Sequence, residues 1–120
     1  MTLRFAILGA GRIGQVHARA IATLDAATLV AVADPVEAAA KAVQEKYRCD
    51  VRSIDEILGS DDVDAVIICT PTDTHADLIE RFVKAGKAVF CEKPVDLDVA
   101  RARQVIETVE AEKGTLMVGF

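Results

Sequence analysis

Polar and apolar positions alternate along this chain in two rhythms. Short, nearly continuous apolar runs fall at Leu3–Leu8, Leu29–Ala33, Ala65–Cys69, Ala88–Cys91 and Thr115–Val118, with a weaker one near Arg48–Val51. Between them apolar residues recur at helical spacing: Ile13, Val16, Ala20 and Leu24, then Leu78, Ile79, Phe82 and Val83, then Val99, Ala102, Ile106 and Val109. Runs that are apolar throughout suit strands covered by helices on both faces. Ser53 with Glu56 reads as a capping box for a short helix before Gly59. Gly86 and Gly114 stand where helix C-caps are expected, each followed at once by a strand. The alternation with short links predicts an α/β fold, a doubly wound parallel sheet with right-handed crossovers, helices on both faces and strand order 3-2-1-4-5-6.

The first strand runs directly into Gly9-Ala10-Gly11-Arg12-Ile13-Gly14, and a helical pattern starts at once. An acid, Asp34, closes the next apolar run. Strand, glycine turn, helix, strand and acid form the layout of a dinucleotide-binding βαβ unit. Each glycine answers a separate demand. Gly9 permits a sharp turn off the strand, Gly11 lets a pyrophosphate approach the backbone, and Gly14 lets the helix pack closely. The helix N-terminus offers unpaired N–H groups and partial positive charge to phosphates. Asp34 would accept hydrogen bonds from the adenosine ribose and repel a 2′-phosphate, favouring NAD over NADP. Arg12 complicates that preference, since an arginine there can serve a 2′-phosphate or the pyrophosphate. A plainer reading keeps the glycines as a tight corner and Asp34 as a cap of the helix after Pro35.

Composition narrows the class without naming the chemistry. The 120 residues make one domain, large enough for a core but small for a complete two-substrate enzyme. A hydrophobic fraction of 52% with 4% aromatic describes a core built from Ala, Val, Ile and Leu. A net charge of −5 leaves no footprint for nucleic acid or an anionic membrane. No apolar run reaches membrane-spanning length, and no secretory pattern precedes the first strand. Cys49, Cys69 and Cys91 are odd in number and set in apolar surroundings, as reduced core residues of a cytoplasmic protein would be. No metal site is expected. The chain stops directly after its last strand, at Gly119-Phe120, which reads as a cut at a domain boundary.

In such a sheet ligands bind outside the carboxyl ends of the strands. Three polar clusters fall there and would line one crevice: the glycine turn, Thr70-Pro71-Thr72-Asp73-Thr74-His75, and Glu92-Lys93-Pro94. The second cluster offers hydroxyls and an imidazole to a nicotinamide ribose, or else Thr72, Asp73 or Thr74 simply caps a helix that His75 begins. Lys93 is either an ammonium held at the crevice floor, able to bond a substrate hydroxyl and relay its proton, or a solvent-facing lysine paired with Glu92. Pro94 restricts Lys93 to extended conformations.

With these residues placed, the chain resembles the glucose–fructose oxidoreductase/inositol dehydrogenase/MocA-like family over its whole length. The resemblance is carried by Phe5–Gly14 with His17, by Ala31-Val32-Ala33-Asp34, by Cys69–Ala76 and by Cys91-Glu92-Lys93-Pro94. Within the family it is most similar to the inositol 2-dehydrogenases. The resemblance implies an NAD-dependent oxidation of a myo-inositol ring hydroxyl to a ketone, with NADP less favoured. It places Gly9, Ala10, Gly11, Arg12, Ile13 and Gly14 at the pyrophosphate and Asp34 at the ribose. Thr70, Pro71, Thr72, His75, Glu92 and Lys93 fall on the nicotinamide side, with Lys93 beside the reacting carbon. It further implies that an aspartate and a histidine of a second, α+β domain complete the acid–base machinery. The small-molecule polyol would bind with that domain, the full-length enzyme would be a homo-oligomer, a tetramer, and this domain alone would turn over no substrate. Two other classes stay open: a non-catalytic NAD-binding or sensing module, and a methyltransferase, against which Gly14 and the Glu92–Pro94 cluster argue. A related enzyme acting on another sugar or polyol is also compatible.

Overall fold

A computed structural model describes residues 2–119; Met1 and Phe120, where the abrupt end of the chain was noted, lie outside them. Six strands form one parallel sheet: β1 (Leu3–Leu8), β2 (Ala27–Ala33), β3 (Asp50–Val51), β4 (Ala65–Ile68), β5 (Ala88–Glu92) and β6 (Leu116–Gly119). Their order across the sheet is β3-β2-β1-β4-β5-β6, as the alternating pattern predicts. Five helices connect them: α1 (Arg12–Ala22), α2 (Glu37–Tyr47), α3 (Ile54–Leu58), α4 (His75–Lys84) and α5 (Val99–Ala111). The chain winds outward from β1 toward β3, crosses back through α3, and winds outward again from β4 toward β6. Its direction therefore reverses between β1 and β4, where the carboxyl ends of the strands open a crevice.

Two apolar clusters, one on each face of the sheet, hold the layers together. One gathers Leu8, Ile57, Ile68, Phe82 and Val105, and the other Ile7, Ala18, Ile21, Val32 and Val43. Phe82 is fully buried, and burying a side chain of that size contributes about 2–3 kcal/mol. The predicted stripe of α4 is the observed one, since Leu78, Ile79, Phe82 and Val83 are all buried.

Two other stripes are displaced. On α1 the buried residues are Gly14, Ala18 and Ile21, while Ile13 and Val16, and Leu24 just past the helix end, are about half exposed. Small residues let α1 lie close on the sheet, and closeness decided the packing face more than side-chain size did. On α5 the buried residue is Val105, with Ala102 and Val109 of the predicted stripe half-buried beside it and Val109 on the core, whereas Val99 and Ile106 are exposed. Arg101 and Thr108 of α5 bond Glu80 of α4, at 2.6 and 2.8 Å, which fixes this rotation of the helix.

Element ends follow local chemistry. Ser53 Oγ accepts from Glu56 N at 3.0 Å and Glu56 Oε1 from Ser53 N at 2.9 Å, a complete capping box for α3. Gly86 takes a positive φ of 82° just past α4. After α5 the left-handed position belongs to Lys113 (φ 51°) and not to Gly114. Gly114 is required for space instead, because a Cβ there would meet Val83 Cγ1 at 2.4 Å.

Candidate functional site

The register of the sheet aligns the three polar clusters. Leu8 lies beside Ile68, and Ile68 beside Cys91, so Gly9, Cys69 and Glu92 stand at one level, with Glu92 still the last residue of β5. Gly9 N donates to Ala33 O at 2.7 Å and Cys69 N to Leu8 O at 2.7 Å, which ties the ends of β2, β1 and β4 together. Gly9 has φ 100°, and a Cβ on it would sit 2.6 Å from the Cys69 carbonyl oxygen. A side chain is excluded there twice, by conformation and by space. At Gly14 the exclusion is harsher: a Cβ would lie 1.9 Å from Gly9 O. The helix therefore packs against the turn itself as much as against β1.

Gly11 differs from both. A Cβ there would meet no atom within 4 Å, so no internal packing requires a glycine. Open space beside the N-terminus of α1, whose first turn carries no acid, fits a phosphate-bearing ligand approaching the backbone. Arg12 and Ile13 are exposed along the same edge.

Asp34 is built into this turn. Its Oδ2 accepts from Ala10 N at 2.6 Å and its Oδ1 from Val36 N at 2.7 Å. It is not the cap of α2, whose N-cap residue is Val36. Each carboxylate oxygen can accept a second hydrogen bond, so the side chain is oriented and still able to bond a hydroxyl. Ala10 is fully buried, and its amide is committed to Asp34 rather than free for a phosphate. The amides at the start of α1 are the remaining donors. A cleft lined by Asp34, Pro35, Arg52, Ser53, Ile54 and Thr70 continues from the carboxylate toward β3.

The loop after β4 enters α4 through a 3₁₀ turn, Thr72–Thr74. Thr74 occupies the N-cap position of α4 but makes no side-chain cap bond; its hydroxyl donates to Pro71 O at 2.6 Å and meets Thr70 Oγ1 at 2.6 Å. Thr70 and Thr72 are half-buried and Pro71 is exposed. His75 is 2% exposed, with Nδ1 at 2.8 Å from Pro94 O and Nε2 at 2.9 Å from Thr70 O. Both ring nitrogens are thus occupied inside the protein.

The third cluster begins with Glu92, the last residue of β5. Glu92 Oε1 lies 2.7 Å from His17 Nε2, and the His17 ring stands edge-on to Phe90 with centroids 5.4 Å apart. Lys93 is exposed at the rim rather than held at the crevice floor, and among the described residues its ammonium pairs with no carboxylate, Glu92 included. The Lys93–Pro94 peptide is cis. Two thiols border the cluster without joining its chemistry: burial, then the nearby Glu92 charge, pushes Cys69 and Cys91 up to about 12, far from a thiolate at neutral pH. His17 is the contributor to this site that residue chemistry alone did not assign. Its available signal was a polar side chain on the glycine-turn helix; its partner lies 75 residues away.

Comparison with known proteins decides the family. The model of the oxidoreductase family, NAD-binding Rossmann fold, matches residues 3–120. The chain belongs to this family. Its sheet has the Rossmann fold of that family, as the resemblance implied. Its relatives include an inositol 2-dehydrogenase of Rhizobium meliloti (strain 1021), 61% identical over all of this chain and 36% of the relative. Among solved structures, a myo-inositol dehydrogenase from Corynebacterium glutamicum superposes with a TM-score of 0.91 at 41% identity, over 99% of this chain and 36% of that one. A scyllo-inositol dehydrogenase from Lactobacillus casei, with bound cofactor NAD(H) and scyllo-inositol, gives 0.93 at 30% identity over 99% and 36%. The chain thus spans about a third of the length of the relatives it matches. No helix among the described residues is long and apolar enough to cross a membrane.

Proposed function

We propose that this chain holds NAD along the carboxyl ends of β2, β1, β4 and β5 for a dehydrogenase that oxidises an inositol ring hydroxyl to a ketone. The observation that carries the cofactor assignment is the Asp34 carboxylate, fixed by Ala10 N and Val36 N at the edge of a turn whose middle glycine opens onto free space. A fixed carboxylate bonds ribose hydroxyls and repels a 2′-phosphate, so it selects NAD. Gly9 and Gly14 keep the turn's shape, Gly11 admits the pyrophosphate, and the amides of Arg12 and Ile13 at the start of α1 stabilise its charge. Thr70, Pro71 and Thr72 form the wall of the nicotinamide end.

When bound, NAD supplies the acceptor for the hydride that leaves the substrate carbon. The substrate is oxidised, and its hydroxyl proton must depart as the carbonyl forms. Lys93 is the group of this chain suited to the reacting oxygen: among the described residues its ammonium pairs with no carboxylate, so it can donate a hydrogen bond to that oxygen while the hydroxyl proton passes to a base outside this chain. The relatives' names supply the substrate class, a cyclic polyol. The acid–base pair and most polyol contacts belong to the portion of the relatives that lies beyond this chain, and homo-oligomerisation, as a tetramer, belongs to the full-length protein in a cytoplasmic setting.

Fluorescence titration of NADH and NADPH against wild type and Asp34→Ala tests the assignment. Wild type should prefer NADH. The variant should lose NADH affinity about tenfold or more, equivalent to about 1.4 kcal/mol, and should also lose its preference over NADPH. An unchanged preference would remove Asp34 as the selecting group, because a merely loosened turn would weaken both nucleotides alike.

A further inference from the structure

Buried polar side chains are rare in this protein: among the described residues, His75 and Lys87. Lys87 is accounted for at the opposite end of the sheet, where its ammonium donates to Ser60 O at 2.7 Å and Val63 O at 2.9 Å and closes the loop before β4. His75 performs the matching operation at the crevice. Its two ring nitrogens face carbonyl oxygens of two different loops, Thr70 after β4 and Pro94 after β5. A carbonyl only accepts, so the neutral ring, with one N–H, bonds one of the two at a time, and both bonds together require the imidazolium; the bond to Pro94 O is the one that joins the two loops, since His75 itself follows the Thr70 loop. With the ring buried and both nitrogens so placed, none remains for a ligand.

The turn that carries Lys93 has few other hydrogen bonds, although Val95, just past it, packs on the apolar cluster of α4 and α5. Pro94 has no N–H to give. Lys93 N donates to Gly119 O at 3.1 Å, and Glu92 is held by His17. Remove His75, and nothing else among these contacts ties the far side of the turn to the loop after β4.

We propose that His75 is a positioning residue for the nicotinamide end of the site: it braces the Lys93–Pro94 turn against the Thr70 loop and does not touch the cofactor. The inference deepens the NAD reading and rests on it. It predicts that loss of His75 disturbs one end of the dinucleotide site and spares the other.

The test uses this 120-residue chain, with NADH and ADP-ribose as separate ligands, since ADP-ribose contains the adenosine, the pyrophosphate and the second ribose but lacks the nicotinamide ring. His75→Ala should weaken NADH about tenfold and leave ADP-ribose within about twofold, a partial loss of the kind expected when a hydrogen-bonded brace is removed. Amide exchange at Lys93 should quicken by about tenfold or more, with exchange at Gln15 in α1 unchanged. His75→Asn, which retains one side-chain N–H donor, should recover part of both effects and keeps the test open if the alanine variant fails to fold. An equal loss of NADH and ADP-ribose would overturn the proposal by showing a general structural role. A loss of NADH with Lys93 exchange unaltered would overturn it by showing direct contact. Wild type binding neither ligand would remove the dinucleotide reading, and the proposal with it, whereas the exchange measurement reports on the brace independently of any ligand.

Discussion

The turn after β1 keeps its shape by omitting side chains, whereas the turn after β5 is held by side chains reaching in from other elements. In the first, Gly9 and Gly14 stand where a Cβ would strike backbone carbonyls, and backbone amides orient Asp34. In the second, His17 of α1 bonds Glu92 and His75 of α4 meets Pro94 O. A turn fixed by steric exclusion tolerates almost no substitution but needs no distant partner. A turn fixed by imidazoles can be adjusted residue by residue. That division suits the chemistry proposed for each end, since pyrophosphate and ribose are common to every NAD enzyme, while the reacting end must be aligned with a particular substrate carbon.

The largest effect available separates two glycines of the first turn. Gly14→Ala places a Cβ 1.9 Å from Gly9 O, a clash between two backbone segments that no side-chain rotation relieves. The substitution should cost about 3 kcal/mol or more and leave little folded protein in a urea titration. Gly11→Ala meets no atom within 4 Å, so its urea midpoint should stay near wild type while NADH binding weakens about tenfold or more, as expected where a ligand's backbone approach is blocked. If both variants were equally stable, steric exclusion would not be what sets the shape of this turn.

An intermediate effect is expected at the second turn. His17→Leu removes the bond to Glu92 Oε1 but leaves an apolar side chain beside Phe90. A loss of about 1 kcal/mol, read as a drop of about 4 °C in unfolding temperature, matches one partly buried hydrogen bond. ADP-ribose affinity should hold while NADH affinity falls. A drop for both ligands would mean that α1 itself had shifted, and the contrast between the two turns would blur.

The same contrast explains what could be read from the residues alone. Sheet order, the glycine turn and Asp34 are local patterns: a few neighbouring residues declare the backbone geometry, and the fold realises it. The packing faces of α1 and α5 were not legible in this way. Periodicity ranks residues by size and polarity, yet Gly14, Ala18 and Ile21 were chosen by how closely α1 approaches the sheet. The roles of His17 and His75 depend on partners 75 and 19 residues away. Such pairings exist only once β5 has been laid beside β4. For Lys93 the sequence left two settings open, an ammonium at the crevice floor or a solvent-facing partner of Glu92; among the described residues it is exposed and does not pair with Glu92, which is bonded by His17 instead.

The smallest effect concerns the frame that carries both turns, and it separates frame from site by pH. Arg4, at the amino end of β1, donates to the Asp64 carboxylate at 3.0 and 3.1 Å, and holds it down to about 2. Arg101, with Thr108 assisting, holds Glu80 below the usual carboxylate range, and Arg52 does the same for Asp62. A carboxyl whose folded pKa lies below its unfolded value of about 4 contributes stability that is complete above that value and is lost as pH falls toward the folded one. For Asp64 the window runs from about pH 4 down to about 2. These pairs are exposed at least in part, so each contribution is small, and the unfolding temperature should fall gently across the window rather than collapse. Carbonyl-detected NMR titration should show Asp64 protonating near the lower end of that range, and Arg4→Met should return it toward the ordinary aspartate value. If the midpoint for Asp64 were unchanged in Arg4→Met, the ion pair would not be what fastens β1 to the start of β4. The glycine turn would then rest on the sheet's backbone hydrogen bonds and apolar packing alone.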